Sequence, residues 1–187
     1  MANEITLTTE RLVLRAFRPS DAEDVFAYLN EPTVHCFYEM RTPDLASARK
    51  AVEERMAEEF ALAIVLKETG KVIGELSGMI ESAAPDQKDC DTFSPCWMLH
   101  KDHQGKGYAY EAVRAYFDWL FREKGVRRIY AYTEDYNKPS QRLCEKLGMR
   151  KEGEHREFVS FIQDENGQPI YENTWVYAIL KKEWKPQ

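Results

Sequence analysis

Hydrophobic and polar positions follow two periods along this chain, and each change of period marks an element. Arg11 to Phe17 sets Leu12 and Leu14 on one face and Arg11, Val13 and Arg15 on the other, the two-residue period of a half-buried strand. Ser20 and Glu23 form a capping-box pattern around Ala22, Val25, Phe26 and Leu29, whose spacing predicts a helix stopped by Asn30-Glu31-Pro32. Thr42-Pro43 predicts a second helix start, with Leu45, Ala48, Val52 and Met56 buried and Arg49, Lys50, Glu53 and Glu54 solvated. Between the two helices, residues 32–41 are aromatic and polar without a period. Phe60 to Leu66 and Val72 to Ile80 read as a hairpin around Glu68-Thr69-Gly70-Lys71, in which Gly74 and Gly78 mark a bulge or a close backbone approach.

The second half continues in the same way. A polar connection at Ser82 to Lys88 leads to a strand over Asp91 to His100, where Pro95 fits an edge, a strand start or a bulge. Tyr108 to Lys124 has the helical period, with Ala109, Ala112, Val113, Tyr116 and Leu120 on one face and Gly125 as its stop. Arg127 to Thr133 alternates again. Two strands flanking one helix form a crossover, which makes them parallel. Asn137 caps a short helix carrying Pro139, Leu143 and Leu147 and closed by Gly148; Met149 to Ile162 and Tyr171 to Lys181 form a hairpin around Asn166-Gly167. There is no internal repeat or linker, so residues 1–187 read as a single domain.

Composition narrows the class. With 187 residues, 43% hydrophobic and 31% charged, the chain can bury a core and stay in solution. No apolar run approaches the roughly 18 residues of a membrane span, and the first residues lack a basic and apolar leader, so the expected location is cytoplasmic. Cys36, Cys90, Cys96 and Cys144 show no CxxC spacing and read as free thiols; His35, His100, His103 and His155 are unclustered, and no metal site is expected. A formal charge of −6 argues against nucleic acid and is compatible with a cationic substrate.

Candidate chemistry centres on Gln104 to Glu111, QGKGYAYE, which follows a strand and opens a helix. Such a turn aims unpaired backbone N–H groups and the positive end of the helix dipole at one spot. Gly105 and Gly107 let an anion approach the main chain, and Lys106 adds a cation, so a phosphate or pyrophosphate is the natural guest. The P-loop is excluded because Gly107 follows Lys106, and the dinucleotide fingerprint because Tyr110 stands at its third glycine.

QxxGxA over Gln104 to Ala109, extended by Glu111 and Ala112, resembles the acetyl-CoA pyrophosphate loop of the GNAT N-acetyltransferase superfamily, in the RimJ/RimL-like ribosomal-protein branch. Asn137 to Met149, NKPSQRLCEKLGM, resembles a second signature of that superfamily at the expected distance. The resemblance implies an α/β fold, a twisted mixed sheet of about seven strands flanked by about four helices. It implies acetyl-CoA as donor, Met98, Leu99 and His100 pairing with the pantetheine amides, and a strand splay at Pro95 that opens a slot for that arm. Gln104, Gly105, Lys106, Gly107, Tyr108 and Ala109 would hold the pyrophosphate, and Asn137 would reach the cofactor arm. His35, Phe37 and Tyr38 would line the acceptor. Homodimers are frequent in the family.

Acetyl transfer to an amine needs an unprotonated nitrogen, a donor for the developing oxyanion and an acid for the leaving thiolate. Many relatives place a tyrosine seven residues after the asparagine. Cys144 stands there, so the leaving-group role passes to Ser140, as the branch resemblance implies. Candidates for the base are Glu75 in mid-strand and Glu154, His155 and Glu157 on the penultimate strand; direct attack with no dedicated base is the alternative. Glu111 reads as support for the loop. The leading acceptor is a protein N-terminal α-amine, with a small-molecule amine such as a polyamine, an aminoglycoside or an amino-acid derivative as runner-up. A non-catalytic acyl-CoA-binding module is the reading from a different class.

Overall fold

A computed structural model of the chain describes residues 5–81 and 91–186; the connection at Ser82 to Lys88 and Cys90 lie outside the described residues. Among those residues there are eight strands: β1 (Thr6–Thr8), β2 (Leu12–Arg15), β3 (Leu62–Leu66), β4 (Val72–Glu81), β5 (Thr92–Leu99), β6 (Arg128–Glu134), β7 (Arg150–Gln163) and β8 (Pro169–Leu180). Four α-helices accompany them: α1 (Ala22–Leu29), α2 (Leu45–Ala57), α3 (Tyr108–Arg122) and α4 (Lys138–Lys146). The chain divides into two compact units, one of Met1–Thr33, Met40–Gly78 and Cys96–Trp119, the other of Val34–Glu39, Met79–Pro95 and Leu120–Gln187. The strand added to the expected seven is β1, whose three residues are too few to show a period.

In the first unit, β1, β2, β3 and β4 pair in that order and antiparallel, with Leu14 opposite Ile64 and Ala63 opposite Glu75. Leu12, Leu14, Ile64, Leu76, Val113 and Tyr116 are buried there. Two helix starts differ from expectation. Asp21, not the Ser20–Glu23 pair, holds the turn before α1: its carboxylate accepts the Arg18 N–H at 2.8 Å and both arms of the Arg15 guanidinium. Asp44, not Thr42, caps α2, accepting the Ser47 N–H at 2.7 Å. The buried stripe of α2 also rotates: Met56 is exposed and Arg55 is buried, because Arg55 finds an ionic partner in the core. On α1 Tyr28 is buried and Phe26 half-buried, for the same reason.

In the second unit, β5 pairs with β6 parallel, as the crossover requires, and β6, β8 and β7 follow in that order and antiparallel. The β-structure is therefore mixed. The parallel register runs through Thr92–Arg128 and Phe93–Ile129 and stops there, two residues before Pro95. Asn137 caps α4 by accepting the Ser140 N–H at 3.3 Å. Residues 32–41, which show no period in the sequence, contain a 3-10 turn over His35–Met40.

Candidate functional site

The first unit carries the glycine loop. β5 ends with Leu99, and the His100 N–H donates to Ile73 O at 2.8 Å. Gly74 is the close approach foreseen in the sequence: a Cβ there would lie 2.2 Å from Met98 O. Gly105 and Gly107 take φ of +73° and +84°, and α3 starts directly after them. Gln104 ties the loop to the strand, its Nε2 donating to Leu99 O at 3.1 Å. The first backbone bond of α3 runs from the Glu111 N–H to Gly107 O. Among the described residues the N–H groups of Gly105 to Tyr110 find no backbone acceptor. Six open donors at the positive end of a 15-residue helix suit a pyrophosphate.

Glu111 and Arg11 brace this loop from behind. The Glu111 carboxylate accepts the Thr9 hydroxyl at 2.6 Å, the Arg11 N–H at 2.7 Å and the Arg11 Nε at 2.7 Å. Arg11 in turn donates to Lys106 O at 3.0 Å and lies over the Tyr108 ring at 4.5 Å. Burial alone would raise the Glu111 pKa, but the bonds from Thr9 and Arg11 outweigh it and hold the carboxyl below its usual range. Glu111 is thus ionised and fully occupied, as a support residue should be. A Cβ on Gly107 would sit 3.3 Å from the Arg11 guanidinium, so the brace and the glycine fit each other. Burial, with His100 and Lys106 adding to the effect, pushes the His103 pKa below its ordinary value.

The second unit carries Asn137, Ser140 and the candidate acceptor wall. The Asn137 amide is engaged at both ends, Oδ1 with the Ser140 N–H and Nδ2 with Glu134 Oε2 at 3.2 Å. Ser140 is half-buried in the first turn of α4. Cys144 is fully buried, and burial pushes its thiol up to about 12, so it is no nucleophile. His35 Nδ1 pairs closely with Glu172 Oε1, and the His35 N–H donates to the Tyr136 hydroxyl oxygen at 3.2 Å. The Tyr38 and Tyr136 rings lie 5.2 and 5.0 Å from the imidazole; Phe37 follows in the same turn, half-buried.

The carboxylates expected to act as base are placed unequally. Glu75 is a correction: it is 2% exposed, and its oxygens accept Arg55 Nε at 2.7 Å, Arg55 Nη2 at 2.8 Å and the Tyr28 hydroxyl at 2.6 Å. A carboxylate so paired has no lone pair facing solvent with which to take a proton through water. Glu154 and Glu157 are exposed on β7, the first near Arg156 at 3.7 Å, the second at a register shift with φ of +46°. His155 stacks on Phe158 at 4.8 Å. The sequence reading missed Arg11 and Thr9 as the brace and Glu172 and Tyr136 as the partners of His35. Thr9–Glu111 and His35–Glu172 are 102 and 137 positions apart, beyond any local period.

Comparison with known proteins adds an independent line. Residues 11–150 match the family model described as acetyltransferase (GNAT) domain. The chain is similar to the uncharacterized N-acetyltransferase p20 of Bacillus licheniformis, 30% identical over 96% of this chain and 98% of that one. Among solved structures it is similar to an acetyltransferase (GNAT family) from Bacillus anthracis, at 25% identity, TM-score 0.81, covering 96% of this chain and 100% of the other. It also shares the fold of RimL, a ribosomal L7/L12 alpha-N-protein acetyltransferase solved with coenzyme A, at 18% identity and TM-score 0.73, covering 94% and 98%.

Proposed function

Since this chain belongs to the GNAT acetyltransferase family, we propose that it moves the acetyl group of acetyl-CoA to the α-amine of a protein N-terminus. The observation that carries the donor side is the row of open N–H groups from Gly105 to Tyr110 at the start of α3, framed by two positive-φ glycines. Gln104, Gly105, Lys106, Gly107, Tyr108 and Ala109 take the pyrophosphate, and Lys106 adds charge. Main-chain groups of Met98, Leu99 and His100 serve the pantetheine arm. Leu99 O is already met by Gln104 in the free protein, so that bond yields or is shared on binding.

Asn137 serves chiefly as cap and tether, and the Ser140 hydroxyl is the donor to the departing sulfur. His35, Phe37 and Tyr38 line the acceptor. Support for a peptide acceptor comes from the exposed aromatic side of that wall, Tyr38 at 44% and Tyr136 at 41%, and from the fold shared with an alpha-N-protein acetyltransferase. A specific observation favours the second reading, a small cationic amine: Glu134 and Glu172 are both buried near this wall, a setting that attracts compact positive charge.

The deciding experiment follows thiol release from acetyl-CoA with peptides bearing free N-termini and with a panel of small amines. Turnover confined to peptides supports the first reading. Turnover confined to small amines replaces it with the second, and a wild-type protein that turns over neither overturns both. Ser140→Ala is expected to lower kcat by about 10²-fold, the low end for loss of a general acid, with CoA affinity retained.

A further inference from the structure

Glu172, 8% exposed on β8, uses its two oxygens unequally. Oε1 pairs with Nδ1 of His35, while Oε2 is buried and meets no donor among the described residues. A buried acceptor without a donor is costly to keep, so this oxygen marks a place for an N–H that no described residue supplies. Thr174, two residues further on the same face of the strand, also buries a hydroxyl with no partner among the described residues. Glu134 lies directly opposite Thr174 across the ladder and so shares that face. Carboxylates, unsatisfied oxygens and aromatic rings together are the chemistry that recognises an amine.

We propose that this cluster receives the acceptor amine, that His35 takes its proton, and that Glu172 is the positioning residue that holds the imidazole. The proposal rests on the acetyl-transfer reading given above and names its base. Donation of the Nδ1 proton to Glu172 fixes the tautomer and leaves the lone pair on Nε2. The His35 side chain keeps 29% exposure, so a bound amine can reach it. In the step, the amine nitrogen forms the bond to the acetyl carbon and the carbon–sulfur bond breaks, its electron pair leaving with the CoA sulfur. The proton lost by the nitrogen passes to Nε2 and then to solvent.

The groups around His35 are Glu172 from β8, Tyr136 with Glu134 beyond it from the end of β6, and Cys36 and Tyr38 from its own turn. Burial pushes the Tyr136 phenol above its ordinary range, and Glu134 and Glu172 add to this, so the phenol stays protonated and does not compete as base.

The test uses the full chain, acetyl-CoA and an acceptor that the wild type turns over. His35→Ala is expected to lose 10²–10⁴-fold in kcat, with CoA affinity by calorimetry unchanged, and to regain part of it when free imidazole is added. Glu172→Gln, which keeps the size of the side chain, is expected to lose a smaller part of kcat and to show no imidazole rescue, because the native ring still fills the site. Wild-type kcat in His35→Ala, or a loss that imidazole does not restore, overturns the proposal and leaves the acetyl-transfer reading standing. A wild type that releases no thiol with any amine overturns both.

Discussion

Glu75 and Glu172 are both buried carboxylates, 2% and 8% exposed, one in each unit, and their surroundings differ in whether every oxygen meets a donor. Around Glu75 the donors are complete: two nitrogens of Arg55 and the Tyr28 hydroxyl reach the two oxygens, and Tyr28 is held protonated by burial, with Glu75 adding to the effect. Around Glu172 one oxygen is engaged by His35 and the other has no donor among the described residues. A closed network is a device of stability and tolerates no partial removal. An open one costs stability and is kept where a ligand completes it. Burial of a carboxylate is thus a poor guide to catalysis unless its donors are counted, and for that reason mid-strand Glu75 looks promising in the sequence and fails in the structure.

The sharpest way to break this comparison is Arg55→Met. It leaves Glu75 uncompensated in the core and is expected to cost about 3–5 kcal/mol in chemical denaturation, whereas Arg55→Met with Glu75→Leu recovers most of the loss. A cost below about 1 kcal/mol would show that the Glu75 network is not closed. Glu111 is the intermediate case, fully bonded but less buried. Glu111→Gln is expected to cost about 1–3 kcal/mol near neutral pH. Its folded pKa is depressed, so the stability it contributes is present above the ordinary carboxylate value of about 4.3 and is lost as pH falls through the folded value. Urea melts at pH 7 and pH 3 should therefore show the variant's deficit shrinking in acid.

Asn137→Ala removes the cap of α4 and a donor to Glu134, with an expected cost of about 1 kcal/mol. If CoA affinity, measured by calorimetry, falls much more than stability does, Asn137 also reaches the cofactor. The smallest stability effect is expected at Glu172→Gln, within about 1 kcal/mol of wild type, because the open region contributes little to folding. Its turnover should fall nonetheless. A variant that is strongly destabilised would place Glu172 with Glu75 as a structural ion pair.

How much of this was legible in the sequence depends on what carried each feature. The crossover, the terminal hairpin and the glycine loop could all be read, since alternation, helical spacing and positive-φ glycines are local and leave fixed spacings. Gly74 could be flagged as a close approach, but not that Met98 O is what it approaches. The caps of α1 and α2 were misread by one or two positions because Asp21, Asp44, Ser20 and Thr42 are all competent cap residues, and only the folded backbone chooses.

By itself, then, the chain determined its element order, its parallel crossover and the glycine turn at Gln104 to Ala109, all of which follow from backbone geometry within a few residues. Tertiary structure alone decided which charges would be buried and with whom. Arg55 displaced Met56 from the core by meeting Glu75, Arg11 and Thr9 closed on Glu111, and His35 met Glu172 across 137 positions. The strength of each such pairing depends on separation and local dielectric, and both exist only once the chain has folded.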